Sequence, residues 1–448
     1  MIILSPAVTA TQKVRPSSFS KIMTNSDPAQ SESDKTDVIV IGGGIIGTSC
    51  ACALAQRGVK VTLIEKGQIG LGCSYGNAGW LTPCFAEPLP MPGMLMTCFK
   101  WLLNPDSPLY IKFRPNWEFL RWNMRFLASM NHRQMHASFE ALIELAKHSL
   151  ETYAKMDAEN PGEFSYKQKG MLSVAASQSS LDAIRTHMEH VSHHGVVGRV
   201  VEADEVRRLE PALTCNEIVG GVHFPDEAHC EPLEAVQAMH RRAERLGAVI
   251  LPNTEVFDIE FNHKRIEAVQ TTRGRMSADQ YVLATGSWST RIGKKLGVRV
   301  PIMAGKGYAV HVEPFDPLPS MPLMLADVRV GLTPRAASIK FAGTLELVDS
   351  EDQRITARRV KTIIRGAQRF LNVSQPPKIV EVWRGLRPCT PDGVPIIGRP
   401  PRYDNLILAT GHQMLGLLSA PATGQLVSEI TCGDHTTFDP RPFRPTRF

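Results

Sequence analysis

The chain has 448 residues, 43% hydrophobic and 21% charged, the balance of an ordinary globular protein of two or three domains. Its 34 glycines and 32 prolines, about 15% together, fall short of the roughly 25–30% of low-complexity chains, which excludes chain-wide disorder and a collagen-like repeat. A net charge of +6 is too weak over this length to indicate a nucleic-acid partner, and nine cysteines without a C-x-x-C pair give neither a disulfide scaffold nor a zinc pattern and suit a reduced compartment.

Residues 1–35 read as a disordered leader or an over-extended start, with Met23 a plausible internal start. They are polar, basic at Lys13, Arg15 and Lys21, and carry no acid before Asp27, a faint likeness to a transit peptide. Order is expected from Thr36. Asp37–Ile41 reads as a buried parallel strand, Ile45–Arg57 as a helix closed by Gly58, and Val59–Glu65 as a second strand. The uncharged run Val38–Gln56 approaches a membrane span in length, but Gly42, Gly43, Gly44 and Gly47 break it.

Gly42-x-Gly44-x-x-Gly47 falls between that strand and helix, where a dinucleotide fingerprint belongs. The first glycine makes the turn, the second admits a pyrophosphate, and the third lets the helix pack close. Glu65 lies 21 residues beyond Gly44, where an acid binds a ribose diol and disfavours a 2′-phosphate.

The segment 91–133 holds Trp101, Trp117, Trp122 and the bases Lys100, Lys112, Arg114, Arg121, Arg125 and Arg133, with only Asp106 and Glu118 as acids. That composition fits either a membrane surface or a lid over the substrate. An amphipathic helix is expected over Phe139–Ala158. His187, His190, His193 and His194 then form a spaced cluster; with Glu189 as the one nearby carboxylate, it reads as a solvated helix end rather than a metal site. Pro232–Leu246 reads as a helix, followed by strands at Val249–Leu251 and Val256–Phe261. Two further strands run into Gly turns, at Ala284-Thr285-Gly286 and Ala409-Thr410-Gly411, the latter followed by a helix over about 415–430. A cofactor touched near both ends of the chain must be long and buried, as FAD is.

The ordered motifs resemble those of the D-amino acid oxidase superfamily of flavoproteins. They include Asp37–Lys66, Ser74-Tyr-Gly-Asn-Ala-Gly79, Glu205-x-x-x-Leu209-Glu-Pro-Ala-Leu213 and Ala284-Thr-Gly-Ser-Trp-Ser289. Gly305-Lys-Gly-Tyr308, Ala342-Gly-Thr-Leu-Glu346 and Trp383-Arg-Gly-Leu-Arg387-Pro-Cys-Thr-Pro-Asp392 complete the set, which spans about residues 36–432. The D-amino acid dehydrogenase (small subunit type) branch is the nearest likeness. Two positions depart from that branch: Gly411-His412-Gln413 replaces Gly-His-Gly, and Trp80 follows Asn-Ala-Gly.

The resemblance implies a discontinuous Rossmann-like α/β FAD-binding domain (36–84, 232–300 and 383–432). It also implies an α+β substrate domain on an antiparallel sheet (85–231 and 301–382) and a tail over 433–448. FAD is expected to be non-covalent, because the position of the tethering cysteine in sarcosine oxidase relatives is Gly385 here. Residues expected at the cofactor are Gly42, Gly44, Ile45, Ile46, Gly47, Glu65, Lys66, Ser74, Asn77, Ala78, Gly79, Val256, Thr285, Gly286, Gly411, Gln413, Met414, Leu415 and Gly416. The N–H groups of the last helix should stabilise the reduced flavin. Arg387 should fork onto the substrate carboxylate, Tyr308 should bond the same carboxylate or simply pack, and His412 should act mainly through its backbone rather than as a base.

The implied reaction is oxidative deamination of small D-amino acids by hydride transfer to flavin N5, with electrons passed to a quinone-type acceptor. The alternatives are a D-hydroxyproline, glycine or sarcosine-type amine oxidase, or a flavin-binding subunit of a larger complex. A cytoplasmic place, with peripheral contact to the inner face of the plasma membrane, goes with that reading.

Overall fold

A computed structural model describes residues 36–92, 109–111, 117–373 and 375–448. The leader, and Lys100, Trp101, Asp106, Lys112 and Arg114 of the basic-aromatic segment, lie outside the described residues.

The elements that carry the site are, in chain order, β1 (Thr36–Ile41), α1 (Ile45–Gln56), β2 (Val61–Ile64), α2 (His132–Glu159), α3 (Gln178–Ser192), β3 (Val249–Leu251), β4 (Ala278–Leu283), β5 (Met303–Val312), β6 (Ile339–Val348), β7 (Ile379–Cys389), β8 (Ile396–Gly398), β9 (Leu406–Thr410) and α4 (Gly416–Cys432). One six-stranded sheet has the order β8-β9-β4-β1-β2-β3, parallel except for the β8–β9 pair. Its central strand shows why it is parallel: Val38, Ile39, Val40 and Ile41 are all buried, so both faces of the sheet are covered. Helices α1 and α4 pack on one face, with Cys50, Leu54, Leu418 and Leu426 in one apolar cluster.

A second sheet of nine strands is mostly antiparallel, with β7, β5 and β6 as consecutive neighbours at one end. Two boundaries differ from those read from the sequence. Trp383–Cys389 runs in this larger sheet as part of β7, paired with β5 from Met303↔Cys389 onward, so the chain changes sheets at the turn Thr390–Gly393. Helix α2, expected within the substrate domain, packs on α4: the Tyr153 hydroxyl donates to the Leu417 carbonyl at 2.9 Å and the Ala422 N–H donates to Ser149 Oγ at 3.1 Å.

Residues 433–448 are not a loose tail. Phe438 and Phe443 are buried in the main core, and Arg447 Nε donates to Asp392 Oδ2 at 2.7 Å. Two spaced phenylalanines in a proline-rich, non-periodic stretch give no helix or strand pattern, which is why the packing was missed.

Candidate active site

The β1–α1 turn opens onto a cavity of about 490 Å³. Gly42 has φ +111°, and a Cβ there would lie 2.6 Å from the Ala284 carbonyl oxygen; at Gly47 it would lie 1.8 Å from the Gly42 carbonyl oxygen. Both positions require glycine, and together they bring the start of α1 to the cavity wall with its N–H groups and positive dipole end. The Ile45 N–H donates to Ser74 Oγ at 3.0 Å. The Glu65 carboxylate accepts from the Gly43 N–H at 2.7 Å and the Gly67 N–H at 2.9 Å, which fixes it on the same wall.

Of the residues singled out for the cofactor, all but Gly47, Ala78, Gly79, Met414 and Leu415 line this cavity. Gly47 and Gly79 stand behind it, and a Cβ on Gly79 (φ +86°) would meet the Cys230 carbonyl oxygen at 2.3 Å. Sequence reasoning missed Thr254, Arg291, Lys295 and Trp288, which belong to no nucleotide fingerprint; Lys66 Nζ lies 4.4 Å from the Trp288 ring centroid. Glycine turns and an anchored carboxylate at one end, with Gly411 and the start of α4 at the other, fit a long dinucleotide such as FAD.

A second cavity of about 600 Å³ shares Cys73, Asn77 and Gln413 with the first. Its walls are largely apolar, with Trp80, Phe85, Met324, Leu345, Trp383 and Met414 among them. The Trp383 indole lies over Gly76 and Gly385, where a Cβ would sit 1.8 and 1.9 Å from ring atoms. Trp80, the unexpected residue after Asn-Ala-Gly, donates from Nε1 to Thr333 Oγ1 at 2.8 Å and forms part of the wall. Ala78, Met414 and Leu415 line this second cavity.

Arg387 also lines it. Its Nη1 donates to the Thr344 carbonyl at 2.8 Å, and among the described residues no carboxylate stands within ion-pair distance. Burial lowers its pKa from the usual guanidinium range, while the nearby Cys389 and Cys73 thiols pull the other way. Thr344 has φ +59°, rare for a β-branched residue, and its buried Oγ1 has no partner. Gln413, with φ +51°, is buried at the junction of the two cavities, and neither its amide oxygen nor its amide nitrogen has a partner. The Arg387 guanidinium, the Thr344 hydroxyl and the Gln413 amide thus line one largely apolar enclosure, the hydroxyl and the amide with hydrogen-bonding capacity unspent, and Arg329 lines it too.

The other sequence-predicted groups lie differently. The Tyr308 ring borders the second cavity, but its hydroxyl donates to Glu346 Oε2 at 2.8 Å and accepts from the Thr356 N–H at 3.3 Å. Glu346 is also held by Lys306 Nζ at 3.2 Å and Arg359 Nε at 3.0 Å, so the hydroxyl belongs to a buried ion cluster. His412 Nε2 lies 3.0 Å from Thr423 Oγ1, and burial lowers its pKa to about 3, leaving the imidazole neutral. The Cys389 thiol is pushed up to about 12 by burial, packs with Phe119 and Trp122, and lines neither cavity.

The helix Trp117–Ser129 buries Phe119 and Trp122, and Asn123, Phe126 and Leu127 form one wall of the second cavity. Trp117, Leu120 and Met124 are exposed. Among the described residues, no helix is long and apolar enough to cross a membrane.

The family model described as FAD dependent oxidoreductase matches residues 37–430. The D-amino acid dehydrogenase of Helicobacter pylori (strain ATCC 700392 / 26695) is 30% identical over 398 residues, covering 89% of this chain and 95% of that protein. That of Vibrio atlanticus (strain LGP32) is 30% identical over 402 residues, covering 89% and 96%. Among solved structures, glycine oxidase from Bacillus cereus ATCC 14579 superposes with a TM-score of 0.71 at 25% identity, covering 90% of this chain and 96% of that one. L-proline dehydrogenase from P. horikoshii superposes with a TM-score of 0.74 at 24% identity over 92% and 98%, a likeness of fold.

Proposed function

The chain belongs to the FAD-dependent oxidoreductase family, and from that premise we propose that it oxidises D-amino acids to imino acids, which water converts to 2-oxo acids and ammonia. FAD, when bound, accepts the hydride and its electron pair. The chain's own residues bind and orient. Arg387 holds the substrate carboxylate through its planar fork, and the unpartnered Thr344 hydroxyl and Gln413 amide supply further bonds to the polar end of the ligand. Trp80, Trp383 and the Trp117–Ser129 helix exclude water from the reacting carbon. Hydride departs from Cα of the neutral amine, so no side chain has to take the Cα proton, and the neutral, Thr423-bound His412 serves by position.

The observation that carries this reading is the Arg387 guanidinium, which lines a largely apolar cavity with no protein carboxylate within ion-pair distance of it among the described residues. A cavity of about 600 Å³ with aromatic walls also accommodates aliphatic and aromatic side chains, beyond the smallest amino acids. A glycine- or sarcosine-type amine substrate is the second reading, favoured by the superposition on glycine oxidase.

Anaerobic bleaching of the yellow protein tests both. D-amino acids should bleach the flavin at lower concentration than their L-enantiomers, glycine, sarcosine or proline, and air should restore the colour slowly, as for a dehydrogenase that passes electrons to a quinone-type acceptor. Preferential bleaching by glycine or sarcosine with rapid recolouring would favour an amine oxidase. Failure of every amine would leave only a flavin-binding subunit of a larger assembly. Peripheral membrane contact is part of the same proposal, supported by the exposed Trp117, Leu120 and Met124 beside Arg121 and Arg125. Co-sedimentation with anionic liposomes should fall when both arginines become Glu; wild type that stays in the supernatant at low salt would end that part.

A further inference from the structure

Away from both cavities, the structure brings together three imidazoles that sequence spacing alone did not assemble. His190 lies in the last turn of α3 and His194 in the turn that follows the helix end. The third, His136, comes from the first turns of α2, more than fifty positions earlier in the chain. One ring nitrogen from each of the three lies within 4.8 Å of the other two. The ring centroids are 6.3 Å apart for His136 and His190, 5.9 Å for His136 and His194, and 5.8 Å for His190 and His194.

Three features distinguish this cluster from a solvated helix end. The Phe139 ring lies 4.6 Å from His190 and 4.9 Å from His194, centroid to centroid, and gives the cluster an apolar floor. The Nε2 atom of His190 is buried with no hydrogen-bond partner, an omission that costs free energy unless something occupies it. On the adjacent turn of α2, Glu140 Oε1 lies 3.3 Å from His136 Nε2 and adds negative charge beside the rings.

We propose that His136, His190 and His194 form a site for a borderline divalent cation such as Zn²⁺, separate from the redox centre, that pins α2 to α3. Imidazole nitrogens suit zinc, nickel and copper, whereas magnesium and calcium want oxygen ligands. A tetrahedral ion with Zn–N of about 2.0–2.1 Å needs its ligand nitrogens about 3.3 Å apart. Rotamer changes of partly exposed rings cover that difference without moving either helix. With the Glu140 carboxylate in the fourth position the set is closed by four protein ligands, which is the pattern of a structural clamp rather than of a hydrolytic centre. What the clamp holds lies one turn back along α3: His187 bonds the Cys84 carbonyl at 2.7 Å and Glu87 at 2.8 Å, and Glu87 lines the substrate cavity.

The test uses the flavin-loaded enzyme, stripped of metal with a chelator and titrated with Zn²⁺ by calorimetry and by thermal melting. One equivalent should bind with micromolar or tighter affinity and raise the melting temperature, since an ion that binds only the folded state stabilises it. His136→Ala, an exposed position whose loss leaves the core intact, and His190→Ala should each weaken binding by at least about tenfold and abolish the thermal shift, with flavin absorbance unchanged. His193→Ala, on the exposed neighbouring side, should bind as wild type does. Absence of saturable one-to-one binding would overturn the proposal. So would an affinity unchanged in His136→Ala, or a loss in His193→Ala as large as in His190→Ala.

Discussion

A Cβ on Gly307 would lie 2.3 Å from the guanidinium carbon of Arg387 and 2.4 Å from both terminal nitrogens. Gly307 pairs with Gly385 across β5 and β7, so the sheet keeps a side-chain-sized gap there and the Arg387 guanidinium occupies it. The displaced group in Gly307→Ala would be the end of a flexible side chain rather than backbone, so the variant should fold and keep its flavin. Its kcat/KM should fall by about 10²-fold, the cost of shifting a positioning group by an ångström or so. Flavin absorbance together with steady-state kinetics decides it: full activity would mean that the fork reorients freely.

Glu65 is bound to the Gly43 and Gly67 N–H groups and lines the first cavity. Glu65→Ala should therefore weaken FAD binding by about 1.5–3 kcal/mol per charge-assisted bond lost, read as flavin lost on equilibrium dialysis. In wild type, acid precipitation should release all the flavin into the supernatant. Gly385 offers no thiol and Cys389 lies outside both cavities; colour retained in the pellet would contradict this.

The difference between Glu65 and Gly307 marks what the sequence can carry. Glu65, Gly42 and Gly47 are legible because the βαβ unit is local: strand, turn and helix within about thirty residues fix where each points. The second glycine of Gly305-Lys-Gly-Tyr308 is visible as a motif, but its purpose depends on the β5–β7 register, which no spacing reveals. Tyr308 is legible as a position and not as a contact, since Glu346 arrives from a different strand to take its hydroxyl. His136 is the extreme case. Its partners lie at the end of another helix and in the turn after it, and only the placement of α2 beside that end makes a cluster of them.

Glu227 gives a prediction in pH. Its Oε1 accepts from the Cys84 N–H at 2.9 Å, Oε2 is buried without a partner, and burial raises its pKa from 4.5 to about 8. Between those values the folded state keeps a proton that the unfolded chain has released, so this group makes stability fall as pH rises through the window. Glu227→Gln keeps the acceptor for Cys84 and has no proton to lose. Its melting temperature should match wild type near pH 5 and exceed it near pH 8, on the order of a few degrees. A lower value near pH 8 would show that the ionised carboxylate is stabilised in place.

Arg387 bears the proposed function most directly. In an apolar cavity its charge is desolvated, so pairing with a substrate carboxylate is strong, and removing one partner of such a pair costs about 2–5 kcal/mol. In kcat/KM that is roughly thirty- to several-thousand-fold for Arg387→Ala. Arg387→Lys keeps the charge but not the planar fork, and should recover only part of the loss. Both variants should retain FAD, since Arg387 lines the second cavity and not the first. Amines that lack a carboxylate should be poor substrates for wild type and nearly indifferent to either change, which separates loss of carboxylate binding from general damage. If Arg387→Ala instead stays within about threefold of wild type, under 1 kcal/mol, the carboxylate is held by another group. The hydroxyl of Tyr308 is bonded to Glu346, so the replacement would be sought first at Arg329, a second arginine from the substrate domain that lines the same cavity, and then at the unpartnered Gln413 amide and Thr344 hydroxyl.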